Sequence, residues 1–202
     1  MTGDRWEWRT FARSPAYSSL LSAGQSENIR TSRELYIVSL ASPNNVKIRD
    51  DILDIKLLVS VDAAGLEQWR PILKTEFPLD DEAMETVWSA WGLPLPVVRS
   101  IRCSREEFLD HIVTPEAALC AVHVQKRRSR ITVEECQGEH VALTIGGDEW
   151  ESISFEDLDP FRVWKAVRAV GLENAENTSY PAALKRIVGF NATAQSTKRE
   201  DR

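Results

Sequence analysis

The sequence predicts an α+β fold whose strands are mostly antiparallel neighbours. Three observations predict it. Stretches of alternating apolar and polar residues open the chain and return in its second half. Helical apolar spacing is confined to the middle and the C-terminal part. Pro, Gly, Asn and Asp punctuate the joins, so the order runs strands, helices, strands, helix. The 202 residues, 43% of them hydrophobic, suit one domain with a core that needs no disulfide staples. That domain is expected over residues 1–190, followed by a disordered polar tail over 191–202.

The first strand runs to Phe11, with Arg5, Glu7 and Arg9 on one face and Trp6 and Trp8 on the other. Residues 12–32, rich in Ser, Ala, Gly and Asn, read as a long loop before a strand over 33–40. Strands over 46–49 and 53–60, joined at Asp50-Asp51, form a hairpin. Leu66, Trp69 and Leu73 recur at helical spacing, with Pro71 kinking or breaking that helix. Met84, Val87, Trp88 and Trp91 mark the apolar face of the next helix, which Gly92 ends. Residues 97–102 read as a strand, and Ser104 with Glu107 as the capping box of a short helix through Ile112. A β-rich run covers 119–135, with a bulge or turn inside its basic cluster. Strands over 139–145 and 150–156 flank Gly146-Gly147-Asp148. Asp159-Pro160 caps a helix with Val163, Trp164, Val167 and Val170 as its buried stripe, and a short helix follows Pro181.

Composition narrows the function. The net charge of −6 argues against a broad nucleic-acid surface, which needs an excess of cations. The basic run Lys126-Arg127-Arg128-Ser129-Arg130 is read as the end of a solvated strand rather than a nucleic-acid patch. Cys103, Cys120 and Cys136 are odd in number, lack a C-x-x-C spacing and suit a reducing, cytoplasmic setting. The first residues carry no basic start followed by an apolar run, so no signal peptide is expected, and no apolar run is long enough to span a membrane. His111, His123 and His140 lack metal-ligand spacing, although His123 and His140 share the polar faces described next. P-loop, dinucleotide and nucleophile-elbow motifs are missing from the sequence.

The informative feature is the parity of charge along the strands. Val46 and Ile48 alternate with Lys47 and Arg49; Leu53, Ile55 and Leu57 alternate with Asp54 and Lys56. Val122 and Val124 oppose His123, Gln125 and Arg127, and Ile153 and Phe155 oppose Ser152, Ser154 and Glu156. Such faces are read in two ways. They are solvated sheet faces that need no function. Or, if the strands close into a barrel, they point inward, where a ring of cations makes sense only around a polyanion or interleaved carboxylates.

The order Lys47-x-Arg49, short turn, Asp54-x-Lys56, followed by Val122-His123-Val124-Gln125-Lys126-Arg127 and the pair 141–144 and 154–156, resembles the CYTH superfamily, the triphosphate tunnel metalloenzymes. Asn177 to Phe190 resembles the tail helix of its bacterial members, so the likeness spans about residues 4 to 190. The resemblance implies a closed or nearly closed eight-stranded antiparallel tunnel barrel flanked by helices. It implies a triphosphate or short polyphosphate ligand held by Arg9, Lys47, Arg49, Lys56 and Arg127. It implies Mg²⁺ or Mn²⁺ on Glu7 and Glu156, with Asp54 and Glu134 as additional candidates. The family's Glu-x-Glu-x-Lys stands here as Arg5-Trp6-Glu7-Trp8-Arg9; its closing strands read Ala142 and Thr144, then Ser154-x-Glu156. The cationic half of the site is thus retained and the carboxylate half depleted. Two functions follow: a metal-dependent phosphohydrolase that cleaves a phosphoanhydride, or a degenerate tunnel protein that binds polyphosphate or another anion without turnover.

Overall fold

Alternation sets the strands and local turn chemistry sets their joins. The computed structural model describes residues 3–17, 27–96 and 102–191. Its strands are β1 (Arg5–Arg13), β2 (Glu27–Ser39), β3 (Asn45–Arg49), β4 (Ile52–Val61), β5 (Glu67–Glu76), β6 (Leu119–Val133), β7 (Cys136–Ile145) and β8 (Asp148–Asp157). They are hydrogen-bonded in the order β1-β5-β4-β3-β2-β6-β7-β8 and close into a barrel. The helices are α1 (Asp81–Trp91), α2 (Arg105–Glu107), α3 (Pro160–Ala169) and α4 (Tyr180–Ile187). This antiparallel barrel with flanking helices is the architecture that the CYTH resemblance implies. Among the described residues no helix is long and apolar enough to cross a membrane.

The hairpins turn as the sequence predicts. Asp50 and Asp51, at φ 52° and 58°, make the two-residue left-handed turn whose twist suits β3 and β4. Gly146 and Gly147, at φ 60° and 91°, do the same between β7 and β8. The Asp80 side chain accepts from Ala83 N at 2.9 Å and starts α1; Gly92, left-handed at φ 68°, ends it. The Asp159 side chain accepts from Phe161 N and starts α3 with Pro160 in its first turn. The capping box of Ser104 and Glu107 is formed at α2, which runs on as a π-helical stretch to Val113.

The chain divides into two compact units. One comprises Met1–Arg33, Leu58–Arg70 and Val124–Ser179; the other comprises Glu34–Leu57, Pro71–His123 and Tyr180–Arg202. In the first unit Trp8, Ile131, Ile153 and Phe155 pack against Val163, Ala166 and Val167 of α3. In the second, Leu35, Ile37, Val46, Ile48, Leu53 and Ile55 pack against Val87, Trp88 and Trp91 of α1. Each unit therefore covers one face of its strands with a helix, and burial of that apolar face is the main favourable term. Gly138 on β7 has no room for a side chain. A Cβ there would lie 2.7 Å from Ser154 O and 2.8 Å from the Phe155 ring. Gly138→Ala is expected to cost about 2 kcal/mol by overpacking, read as a lower urea midpoint at unchanged slope.

Three expectations are corrected, and a fourth falls outside the described residues. Residues 12–32 are not one loop: β1 continues to Arg13 and β2 begins at Glu27, with 18–26 outside the described residues. The segment of Leu66, Trp69 and Leu73 is strand β5, in which Trp69, Gln68 and Glu67 pair with Arg5, Trp6 and Glu7 of β1. Backbone pairing across the sheet overrides a chance helical spacing there. Pro71 is an exposed residue of β5, two positions beyond the last printed pair with β1. The basic cluster holds no bulge against β7: pairing runs in continuous register from Val124↔Ile145 to Val133↔Cys136. The expected strand over 97–102 and the tail over 191–202 fall almost wholly on residues 97–101 and 192–202, outside the described residues.

Candidate functional site

Directly opposed residues on neighbouring strands share a face, so register shows which charges stand together. In the second unit Lys47 opposes both Tyr36 on β2 and Asp54 on β4, and Lys56 opposes Asn45. Lys47, Arg49, Asp54, Lys56, Glu34 and Tyr36 thus line the face turned away from α1, because Leu35, Val46, Ile48, Leu53 and Ile55 face the other way into the core. Glu34 lies at the centre, its side chain fully buried, 3.4 Å from Lys47 Nζ and 3.6 Å from Arg49 Nη1. The Tyr36 hydroxyl donates to Glu34 Oε2 at 3.0 Å, and the Tyr36 ring stacks on Tyr180 of α4 at 5.1 Å. Lys47 also lies 3.8 Å from Asp54 Oδ2. Among the described residues Lys56 has no ion-pair or hydrogen-bond partner, so it is the cation left over.

In the first unit three glutamates stand side by side on adjacent strands. Glu156 on β8 opposes Glu7 on β1, and Glu7 opposes Glu67 on β5. Next to this row, Arg9 opposes Ser154 and lies on the same face, opposite to Trp8 and α3. Arg9 is 7% exposed; its Nε donates to Glu7 Oε1 at 2.9 Å and its Nη1 to Ser152 Oγ at 3.3 Å. Asn177, in the segment that the tail likeness singled out, accepts from Arg9 N at 2.7 Å and donates to Gly65 O at 2.7 Å. Arg5 lies 3.5 Å from Glu156. Burial, reinforced by the charge of Glu7, pushes the Glu67 carboxyl up to about 7, against the opposing pull of a hydrogen bond from Trp69 and the charge of Arg9.

On β6 and β7 the structure reverses the expected faces. Arg127 is exposed on the side of Ser129 and Ile131, and Ile131 packs toward α3. Lys126, 5% exposed, and Arg128 occupy the opposite face, with Val141 and Leu143 of β7. Ala142 and Thr144, where the closing carboxylates were sought, share the face of Arg127; the face of Lys126 carries Gln137 and Glu139 instead. Glu139 lies 3.7 Å from Arg128. His140 also lies on the α3 side, 3.7 Å from Glu151, whose carboxylate receives Ala16 N and Tyr17 N. The cause is the filling of the sheet: Val124, Val141, Leu143 and Ile145 are buried on the face that the apolar pattern had assigned to the outside.

Of the expected metal ligands, Glu7 and Glu156 stand directly opposite each other on β1 and β8. Among the described residues no group of three or more His, Cys, Asp or Glu side chains is arranged to hold a metal ion. Glu7 and Glu156 share a face, yet each is engaged by an arginine. Asp54 lies in the other unit, beside Lys47. Glu134 sits in the β6–β7 turn, at φ 50°, and pairs with Lys165 of α3 at 2.6 Å. Sequence reasoning missed Glu34, Glu67, Glu139, Lys126 and Arg128. Glu34 and Tyr36 alternate with Leu35 and Ile37 and could have been found by the same parity; Glu67 was hidden by the helical spacing around it.

No protein-family model matches this sequence, and no curated protein matches it. Solved structures do resemble it. A proposed adenylate cyclase from Bacillus halodurans is 13% identical over 92% of this chain and 98% of its own, with a TM-score of 0.48. A protein from Pyrococcus horikoshii is 14% identical over 88% and 97%, with a TM-score of 0.47. A Hippeastrum protein, named as a proposed adenylyl cyclase with a dominant triphosphatase activity, is 13% identical over 90% and 95%, with a TM-score of 0.49. Identities this low do not carry an activity across, so function rests on the residues above.

Proposed function

We propose that this chain binds a triphosphate or short polyphosphate group on the polar faces of its barrel strands. One observation carries the reading. Lys47, Arg49 and Lys56 project from alternate positions of one hairpin onto one face, and Lys56 has no counter-charge there. Glu34 lies against Lys47 and Arg49, Asp54 against Lys47, and Asp50 of the turn 3.9 Å from Arg49, so Lys56 is the cation of this hairpin face that has no counter-charge among the described residues. Preset cations of this kind suit phosphate oxygens better than a lone flexible lysine does, because less ordering is lost on binding. Within the first unit, Arg9, Lys126 and Arg128 share one face through β7 and β8 and form a second cationic set, in which Lys126 and Arg128 stand in place of Arg127.

Hydrolysis of the bound anhydride is the second reading, and the row of Glu156, Glu7 and Glu67 favours it. Both are tested together on the purified chain. Tripolyphosphate at a hundredfold excess over its Kd is expected to add about 2.7 kcal/mol, seen as a raised Tm that falls with added salt. Lys56→Ala, which leaves no buried partner behind, is expected to weaken binding by about fivefold. Phosphate release is then followed with Mg²⁺ and with Mn²⁺. Release that disappears in Glu7→Gln and Glu156→Gln supports hydrolysis; a raised Tm without release supports binding alone. A Tm that tripolyphosphate leaves unmoved overturns both.

A further inference from the structure

The first unit carries a surface patch that the phosphate reading does not use. It is built on α3, which turns Val163, Ala166 and Val167 into the core. Phe161, Trp164, Lys165 and Arg168 recur at i, i+3, i+4 and i+7 and share the opposite face of the helix. With Asp62 and Ala64 of the β4–β5 turn, and with Glu173, they line an open groove. Phe161 is 82% exposed, and Leu158, just ahead of the helix, is 62% exposed. Apolar side chains gathered at one exposed end of a helix, rather than scattered singly, mark a contact surface. The charges of the groove are of both signs. Asp62 is engaged by Ala64 N and Leu66 N, each at 2.8 Å, and Lys165 by Glu134 at 2.6 Å. Arg168 and Glu173 have no side-chain partner among the described residues.

We propose that this patch is the two-fold interface of a homodimer. Phe161 of each copy seats in the groove of the other, and Arg168 of each copy faces Glu173 of the other. An isologous interface requires one patch to be complementary to itself. This patch holds a ring that projects and a groove that receives, an unpaired cation and an unpaired acid. A polyanion or an anionic membrane would meet Asp62 and Glu173 in the groove; a polycation would meet Lys165 and Arg168. Only a partner with the same mixture of signs satisfies both, and a second copy of this chain is such a partner.

The test is sedimentation velocity of the purified chain over a range of concentrations. A monomer–dimer equilibrium with a Kd of about 10 µM is expected, as suits an interface at the small end of the usual range. Phe161→Asp is expected to weaken the dimer about 30-fold, the loss typical of a central aromatic contact. That substitution adds an acid to the first turn of α3, which favours the helix, and circular dichroism checks that the fold is kept. Arg168→Glu and Glu173→Arg are each expected to weaken the dimer about tenfold, because each brings like charges together. Mixed in equal amounts, these two charge variants are expected to pair with each other about as tightly as the parent pairs with itself, since every cation then faces an acid. A parent chain that stays monomeric overturns the proposal. A dimer that Phe161→Asp leaves intact overturns this surface as its interface. Charge variants that leave the dimer intact, or that mixing does not restore, overturn the pairing of Arg168 with Glu173.

Discussion

Urea unfolding is expected to become easier as the pH rises from about 5 to about 8, and Glu67→Gln is expected to remove that part of the dependence. Burial and the neighbouring Glu7 charge raise the Glu67 carboxyl to about 7 in the folded chain, from an ordinary value of 4.5. The folded state therefore holds this proton over a range where the unfolded state has lost it. Below about pH 4.5 both states are protonated and the group is neutral to stability. As the pH climbs through the interval up to about 7, the folded state loses stability, by about 3 kcal/mol in all, and the loss stays constant above. Gln keeps the oxygen that accepts from Trp69 Nε1 but carries no charge beside Glu7. The variant should match the parent near pH 5 and exceed it near pH 8 by about that amount. Parallel stability curves for the two proteins would show that Glu67 ionises freely and that the row of glutamates is not electrostatically coupled.

Glu34→Ala is expected to cost about 3 kcal/mol, read as a lower urea midpoint. The Glu34 side chain has no exposure and sits between Lys47 and Arg49, which are 15% and 29% exposed. Its removal leaves two cations and the Tyr36 hydroxyl without the oxygens that they face. Breaking a buried pair from one side typically costs about 3–5 kcal/mol. The lower end applies because Lys47 keeps Asp54 and both cations reach some solvent. Glu34→Gln, which still accepts from Tyr36, should cost less. The same loss frees positive charge on the proposed phosphate face, so tripolyphosphate should stabilise Glu34→Ala more than it stabilises the parent. An unchanged midpoint would mean that water already neutralises the two cations and that Glu34 is not their counter-charge.

How much of this was legible in the sequence depended on range. The β3–β4 hairpin reads directly, because alternation and the Asp50-Asp51 turn lie within a few residues of one another. That placed Lys47, Arg49, Asp54 and Lys56 on one face. Arg9 and Glu7 follow from the alternation of Trp6 and Trp8 in β1. The reading failed where a strand changes its apolar side. β6 buries Val122, Val124 and Lys126 on one face and Ser129 and Ile131 on the other, without a bulge. No local rule says which of two apolar faces turns toward a helix, so Arg127 was preferred to Lys126 and Arg128. β5 failed for a related reason: Leu66, Trp69 and Leu73 satisfy a helical period, and only pairing with β1 makes them a strand.

The sequence by itself determined the α+β order, the turns, the caps of α1 and α3 and the cationic hairpin, because each follows from contacts between near neighbours in the chain. The tertiary structure alone decided barrel closure and the register that lines up Glu156, Glu7 and Glu67. It alone decided the burial that raises Glu67 and the engagement of both expected metal ligands by arginines. Those features join residues as far apart as Glu7 and Glu156, and their energies depend on the dielectric and charges that packing supplies, which no run of neighbouring residues encodes.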